Sequence, residues 1–316
     1  MSEFGLSGTE LLITGGAGFI GSHLARALAP DNEVTVLDDL STGRRERVPD
    51  AATFVDGDVR DRRKLKRATR NADVIFHQAG LVGVEQSLRQ PTRSNHINTG
   101  ATVQLLDYAR TYDTRVVLAS SAAVYGHPDS IPVSEDDCLE PTSPYGVDKL
   151  AADHYARVFA DRYDLPVVVL RYFNVYGPRN GSNPYSAVVE TFLRQALAGE
   201  TITVHGSGDQ TRDFVHVDDV VRANALAATT DAVGRSYNVA SGTARSIRAL
   251  AELVKDITGT DSRIVHTEER SGDIDRSEAD LTRAREQLGY EPTTTLESGL
   301  RSLIEDGEAV TPSHGG

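Results

Sequence analysis

The 316-residue chain has no tryptophan, one methionine, one cysteine (Cys138) and four lysines against 29 arginines. A lone cysteine excludes an internal disulfide framework and any multi-thiolate metal site, so the compartment expected is the cytoplasm. The nine histidines show no ligand spacing, and neither HExxH nor paired cysteines occur, so no metal is expected. No stretch approaches the roughly 18–20 apolar residues that span a bilayer. The opening "MSEFGLSGTE" has neither the basic nor the apolar region of a secretory signal. Positive charge is scarce as well. A net charge of −13 argues against nucleic acid or an anionic membrane as partner. Acid excess with few lysines fits a surface adapted to high salt, and fits a GC-rich genome equally well. Either way, an anionic ligand has to be met by locally placed arginines.

The apolar fraction of 39% and charged fraction of 25% are those of a globular chain with a real core. From residue 11, short runs rich in β-branched residues alternate with helical segments. The runs are "LLIT" (11–14), "VTVLD" (34–38), "TFVDGD" (53–58), "VIFH" (74–77), "RVVLASS" (115–121) and "VVVLR" (167–171). They are nearly continuous in apolar residues, as parallel strands covered on both faces are. Helices are expected near 18–29, 61–70, 97–111 and 145–163. The pattern predicts an α/β fold, a doubly wound parallel sheet of the Rossmann type. After Tyr172 the rhythm changes to a turn-rich "NVYGPRNGSNP", then helices near 186–198, 246–258 and 280–288 with strands "TITVHG" and "SYNVA". A dinucleotide-binding domain over 8–175 and a smaller C-terminal α/β substrate lobe over 176–308 are expected. The chain is expected to cross back to the first domain within 213–240, and 309–316 to form a disordered tail.

"LLITGGAGFIGSHLARAL" sets Gly15, Gly18 and Gly21 between the first strand and the first helix. Gly15 allows the tight turn, Gly18 lets the backbone approach a pyrophosphate, and Gly21 lets helix and sheet pack closely. The helix N-terminus, with Phe19 and Ile20, offers amide donors and the positive end of the dipole to phosphates. Asp38, about 20 positions on at the end of the second strand, completes the dinucleotide fingerprint. A carboxylate there accepts from the ribose hydroxyls and repels a 2′-phosphate, which favours NAD over NADP. Arg44 and Arg45 follow closely and keep NADP open. Asp58 and Val59, after the third strand, are candidates for the adenine, or else a solvated turn beside a packing valine.

The fifth strand ends in "SSAAVYG", which puts Ser120 and Ser121 at the edge where open parallel sheets bind ligands. About two dozen residues later comes "SPYGVDKL". On a helix, Tyr145 and Lys149 lie at i and i+4 on one face. A neighbouring cation favours the phenolate, so a tyrosine normally titrating near 10 becomes a usable base. Ser121 is then placed to orient the reacting oxygen. Singly, these residues read as core packing, a solvated lysine and a strand-end cap; jointly and in order they point to catalysis.

The chain resembles the extended short-chain dehydrogenase/reductases, and within them the nucleotide-sugar 4-epimerases related to UDP-glucose 4-epimerase. The likeness runs through "GGAGFIGSHL", "SPYGVDKL", "RYFNVYGPR", "QTRDFVHVDDV" and "RSGDIDRSEAD". It implies tightly bound NAD, Ser121, Tyr145 and Lys149 as the catalytic set, and a second role for Lys149 on the nicotinamide ribose. It also implies that Ala79 and Gly80 line the cofactor path, and that Asn98 serves although the family's glycine is Ala101 here. On the substrate side it assigns Asn174 and Arg212 to the phosphates. Arg270 joins them and, with Asp273, reaches the nucleotide ribose. Asp218 and Asp219 read instead as first-turn helix acids.

In the family's 4,6-dehydratases, adjacent Asp and Glu follow the catalytic Ser/Thr, and in the uronate decarboxylases a Glu lies in that stretch. Here the positions are Ala122 and Ala123, which move no proton. The resemblance therefore implies 4-epimerisation of a UDP-sugar through a transient ketone. A UDP-glucuronate 4-epimerase, a 4-keto-sugar reductase and a non-catalytic NAD-binding regulator remain as alternatives. Ser277 matches the wall around the sugar's C2 substituent, where a serine leaves room for an acetamido group. By the same analogy, helices near 97–111 and 145–163 build a homodimer contact.

Overall fold

The computed structural model describes residues 4–180, 187–269 and 274–305. The first half alternates strictly: β1 (Glu10–Thr14), α1 (Phe19–Leu28), β2 (Glu33–Asp38), β3 (Thr53–Asp56), α2 (Arg62–Thr69) and β4 (Val74–His77). Then come two short helices, α3 (Val84–Arg89) and α4 (Pro91–Asn95), followed by α5 (Ala101–Tyr112), β5 (Arg115–Ser121), α6 (Pro144–Tyr163) and β6 (Val167–Tyr172). The second half adds β7 (Asn174–Tyr176), α7 (Ala187–Leu197), β8 (Ile202–His205), β9 (Thr211–His216), α8 (Val217–Thr229) and β10 (Arg235–Val239). It ends with β11 (Ala244–Ser246), α9 (Ile247–Thr258), β12 (Ile264–Thr267), α10 (Thr282–Leu288) and α11 (Leu296–Glu305).

Seven parallel strands form the main sheet in the order β10-β6-β5-β4-β1-β2-β3. This is the doubly wound sheet that the apolar runs predict, because strands buried on both faces need no polar alternation. One face packs on α1, α8 and α10 through residues such as Leu24, Val220 and Leu288. The other packs on α2, α5 and α6 through Leu65, Leu105, Ala152 and Ala156. A separate cluster of Phe192, Val204, Phe214, Leu250 and Leu300 forms the core of the smaller lobe. Yet α8 and β10 return to the first layer, with β10 pairing along β6. The lobe is thus contributed by chain on both sides of that excursion.

Several elements carry no strong local pattern. The α3 and α4 helices are short and polar, and β7 forms inside the turn-rich "NVYGPRNGSNP". The strands β9 and β11 join β7 in a small sheet, and β12 pairs β8. Each gains its order from a partner distant in sequence. The α8 helix begins within "HVDDVV", where His216 Nδ1 accepts from Asp218 N and caps the start. Asp218 and Asp219 do occupy its first turn, but Asp219 also takes Arg222 and the backbone of Thr293 and Thr294. Among the described residues no helix is long and apolar enough to cross a membrane, and no cluster of ligand side chains suits a metal ion.

Candidate active site

The C-terminal edge of the sheet gathers most of the residues singled out above. Gly15 has φ +69°, and a Cβ on it would stand 2.6 Å from Ala79 N. On Gly21 a Cβ would meet Gly15 O at 2.2 Å, so α1 can lie this close to the loop only with hydrogen there. Gly18 is the N-cap and brings no side chain of its own, which leaves the first amides of α1 open. The Phe19 ring packs edge-on to His23 and approaches Gly177, while Ile20 packs on the core. What these two positions present outward is therefore backbone. A cradle that added Cβ atoms would fill is what a dinucleotide pyrophosphate requires.

Asp38 ends β2 almost fully buried, with Oδ2 accepting from Ala17 N at 2.9 Å and Oδ1 from Leu40 N at 2.8 Å. Burial raises its carboxyl above the usual range, and those two bonds oppose the rise. It braces the glycine loop through Ala17. Asp58 is engaged by the Arg60 side chain and amide, and this contact holds it below the usual carboxylate range. Val59 is buried in the cluster with Leu37 and Leu65, so its side chain packs.

Beyond β4, Ala79 and Gly80 enter a loop that Asn98 pins. Asn98 Oδ1 accepts from Leu81 N at 2.9 Å and Nδ2 donates to Leu81 O at 3.0 Å. The expected single helix from 97 starts here as a π turn, His96–Gly100, which continues into α5. Such a local widening turns one side chain inward, and here it is Asn98. A Cβ on Gly80 would lie 2.9 Å from Asn98 Oδ1 and 3.5 Å from Lys149 Nζ, so that glycine keeps the two in reach. Sequence reasoning missed His77, which bridges Thr14 and Thr102. Burial depresses it to about 3, so the imidazole stays neutral.

Ser143 caps α6 by accepting from Gly146 N at 3.1 Å, and Pro144 opens the helix at its first position. A Cβ on Gly146 would stand 2.6 Å from Ala123 O. The start of α6 therefore lies directly on the turn that follows Ser121. Ser121 caps that turn, its Oγ accepting from Ala123 N at 3.2 Å. Tyr145 N donates to Ser87 Oγ of α3 at 3.1 Å, a tether that the sequence did not disclose. Lys149 is buried, with Nζ donating to Ala119 O at 2.9 Å and lying 5.9 Å from the Tyr145 ring centre. Desolvation lowers it to about 8, against the opposing charge of Asp148. Ser120 Oγ is buried on the α6 side of β5 and has no partner. A buried hydroxyl left unsatisfied at this edge fits a ligand that completes it.

In the small sheet, Asn174 opens β7 in register with Phe214 of β9, on the face that also carries Arg212. Arg212 Nη1 donates to Thr211 O and Ile274 O. Ser277 is half-buried in a stretch joined at one end to Thr211 and at the other to Val133. It thus runs between the small lobe and the loop that follows Ser121. Arg270 and Asp273 lie outside the described residues.

A fold of this topology, a glycine-lined phosphate loop and a Tyr–Lys pair at the same sheet edge define a nucleotide-dependent oxidoreductase-type site. A family profile described as "NAD dependent epimerase/dehydratase family" matches residues 11–240, and the chain belongs to that family. It is 38% identical over 303 residues to a UDP-glucose 4-epimerase of Mycolicibacterium smegmatis, covering 93% of this chain and 97% of that one. A UDP-glucose 4-epimerase from Thermotoga maritima, solved with UDP-glucose, superposes with a TM-score of 0.90 at 36% identity, over 94% and 97% of the two chains. A UDP-N-acetylglucosamine 4-epimerase from Methanobrevibacter ruminantium gives 0.91 at 34% identity, over 95% and 98%.

Proposed function

We propose that the protein is an NAD-dependent 4-epimerase of UDP-sugars, acting on UDP-glucose/UDP-galactose and on their N-acetylated forms. One arrangement carries the reading: Tyr145 and Lys149 on one face of α6, whose start rests on the turn capped by Ser121. Bound NAD supplies the hydride acceptor and donor. Tyr145 takes the proton of the sugar 4-hydroxyl and later returns it. Ser121 Oγ already accepts from Ala123 N, so its O–H is left to donate to sugar O4. Lys149 spends one N–H on Ala119 O and keeps two for the phenol oxygen and the nicotinamide ribose. Ala122 and Ala123 contribute no acid or base, so the 4-keto sugar loses neither water nor carbon dioxide before it turns over.

Gly15, Gly18, Phe19, Ile20, Asp38, Ala79, Gly80 and Asn98 hold NAD in this reading, with the Asp58–Val59 backbone at the adenine. Asn174 and Arg212 take the phosphates, together with Arg270, while Asp273 takes the nucleotide ribose and Ser277 borders the sugar C2 substituent. The working unit is a homodimer. Val147, Tyr155 and Val158 are exposed apolar residues on one face of α6, beside a groove of about 450 Å³ lined by Thr99, Val103 and Phe159.

Replacing Tyr145 by Phe tests the core of the proposal. Turnover of UDP-glucose should fall by at least about 10²–10⁴-fold while NAD co-purifies in undiminished amount. Substantial residual epimerisation would contradict it. A substrate panel of UDP-glucose, UDP-N-acetylglucosamine and UDP-glucuronate, read by product chromatography, separates the epimerase readings. Failure to retain NAD would favour a reductase.

A further inference from the structure

Asp148 precedes Lys149 on α6, and its carboxylate is buried. Oδ2 accepts from Ser94 Oγ at 2.5 Å, and Oδ1 from Asn95 Nδ2 at 3.0 Å and Thr99 Oγ1 at 3.3 Å. All three donors are neutral, and no ion pair joins Asp148 to another described residue. Lys149 is in the complementary situation, a buried cation whose Nζ donates to the Ala119 carbonyl. Buried charges are strongly unfavourable unless compensated. Here two opposite ones stand in consecutive residues of one helix and offset each other without touching.

The tether continues past Asp148. Ser94 Oγ accepts from Asn98 Nδ2 at 3.2 Å, and Asn98 holds both backbone groups of Leu81. A line of hydrogen bonds thus runs from α6 through the π turn to the loop beyond β4. We propose that Asp148 is a positioning residue for the reaction: its carboxylate ties α6 to the 94–99 segment, and its negative charge acts through Lys149 on the proton transfer of Tyr145. The inference rests on Tyr145 being the base.

The groups facing Lys149 make the electrostatic part specific. Tyr145 lies on its own helix, 5.9 Å from Nζ to ring centre. From β4 comes His77, which burial keeps neutral. From β5 comes the Ala119 carbonyl, from the loop after β4 Gly80, and from the π turn the Asn98 amide. Asp148 is the one anion among them, and it opposes the desolvation that lowers Lys149. Removing a negative charge makes proton loss easier for the ammonium and the phenol alike. Both apparent pKa values of the coupled pair should therefore fall.

The experiment is the pH profile of kcat for UDP-glucose in the NAD-containing enzyme, with bound NAD quantified at each step. In Asp148→Asn, which is isosteric and still accepts from Ser94, both limbs should move toward acid by about one pH unit. Asp148→Thr, a smaller neutral variant, should show the same displacement should the first not fold. Ser94→Ala, which cuts the link from Asp148 to Asn98 and keeps the charge, should lower the maximum and leave the limbs in place. Limbs that stay put in either neutral variant overturn the inference, since loss of packing alone lowers the rate evenly. Tyr145→Phe is the control: if it turns over substrate, the underlying function fails and not merely the role of Asp148.

Discussion

A lysine ammonium exposed to water loses its proton above pH 10, whereas Lys149, buried and bonded to Ala119 O, does so near 8. A charge so weakly solvated interacts strongly with whatever phenol or ribose comes near, which is what a residue serving both needs. Asp38 shows a related economy, since one buried carboxylate at the end of β2 braces both Ala17 and Leu40. In the proposed function Ser277 borders the sugar C2 substituent, where a small side chain would leave room for an acetamido group. Changing Ser277 to Tyr should lower kcat/KM for UDP-N-acetylglucosamine relative to UDP-glucose by about 10–100-fold. Competition assays with both sugars measure this, and an unchanged ratio would remove Ser277 from the pocket wall.

The α6 helix uses every face. One carries Tyr145 and Lys149, another sends Asp148 to the 94–99 segment, and Val147, Tyr155 and Val158 point outward. One turn beyond Lys149 and on the same face, Asp153 is fully buried and anchors the helix to the sheet. Its Oδ2 accepts from Arg171 Nε of β6 at 2.9 Å, and its Oδ1 accepts from Ser236 Oγ of β10 at 3.0 Å. Arg171 also donates to Tyr125 and to Glu135 O, beyond the turn that Ser121 caps. The same ion pair therefore secures the helix that carries Tyr145 and the loop beyond Ser121. Asp153→Ala should destabilise the fold by about 3–5 kcal/mol, because it leaves Arg171 buried and unpaired. Urea unfolding followed by circular dichroism reads this directly, and a loss below about 1 kcal/mol would mean that Arg171 finds water or another partner.

The whole molecule is two cores joined by chain that crosses between them more than once. The strand ends β1, β4 and β5 lead into the glycine loop, the Ala79–Gly80 loop and the Ser121 turn, while the stretch holding Ser277 links β9 of the small sheet to Val133. The exposed apolar stripe on α6 belongs to this scale as well. Val158→Glu, half-exposed in the single chain, should convert a dimer into a species of 34.1 kDa. Light scattering coupled to gel filtration would show the change. A wild-type protein that already runs at that mass at micromolar concentration would rule out the dimer.

The sequence by itself determined the parallel sheet, because strands buried on both faces leave unbroken apolar runs that can be read locally. It determined the glycine loop and the Tyr145–Lys149 pair for the same reason, since their spacing along one turn or one helix face is their geometry. It did not determine α3, α4 or β7, short segments without a local pattern that are ordered by distant partners. Nor did it disclose that Asp148 meets Ser94, or that Asp153 meets Arg171 and Ser236. Only the tertiary structure decided those contacts, because a buried carboxylate is stabilised by whatever donors folding brings to it, and sequence separation leaves no trace of which they are.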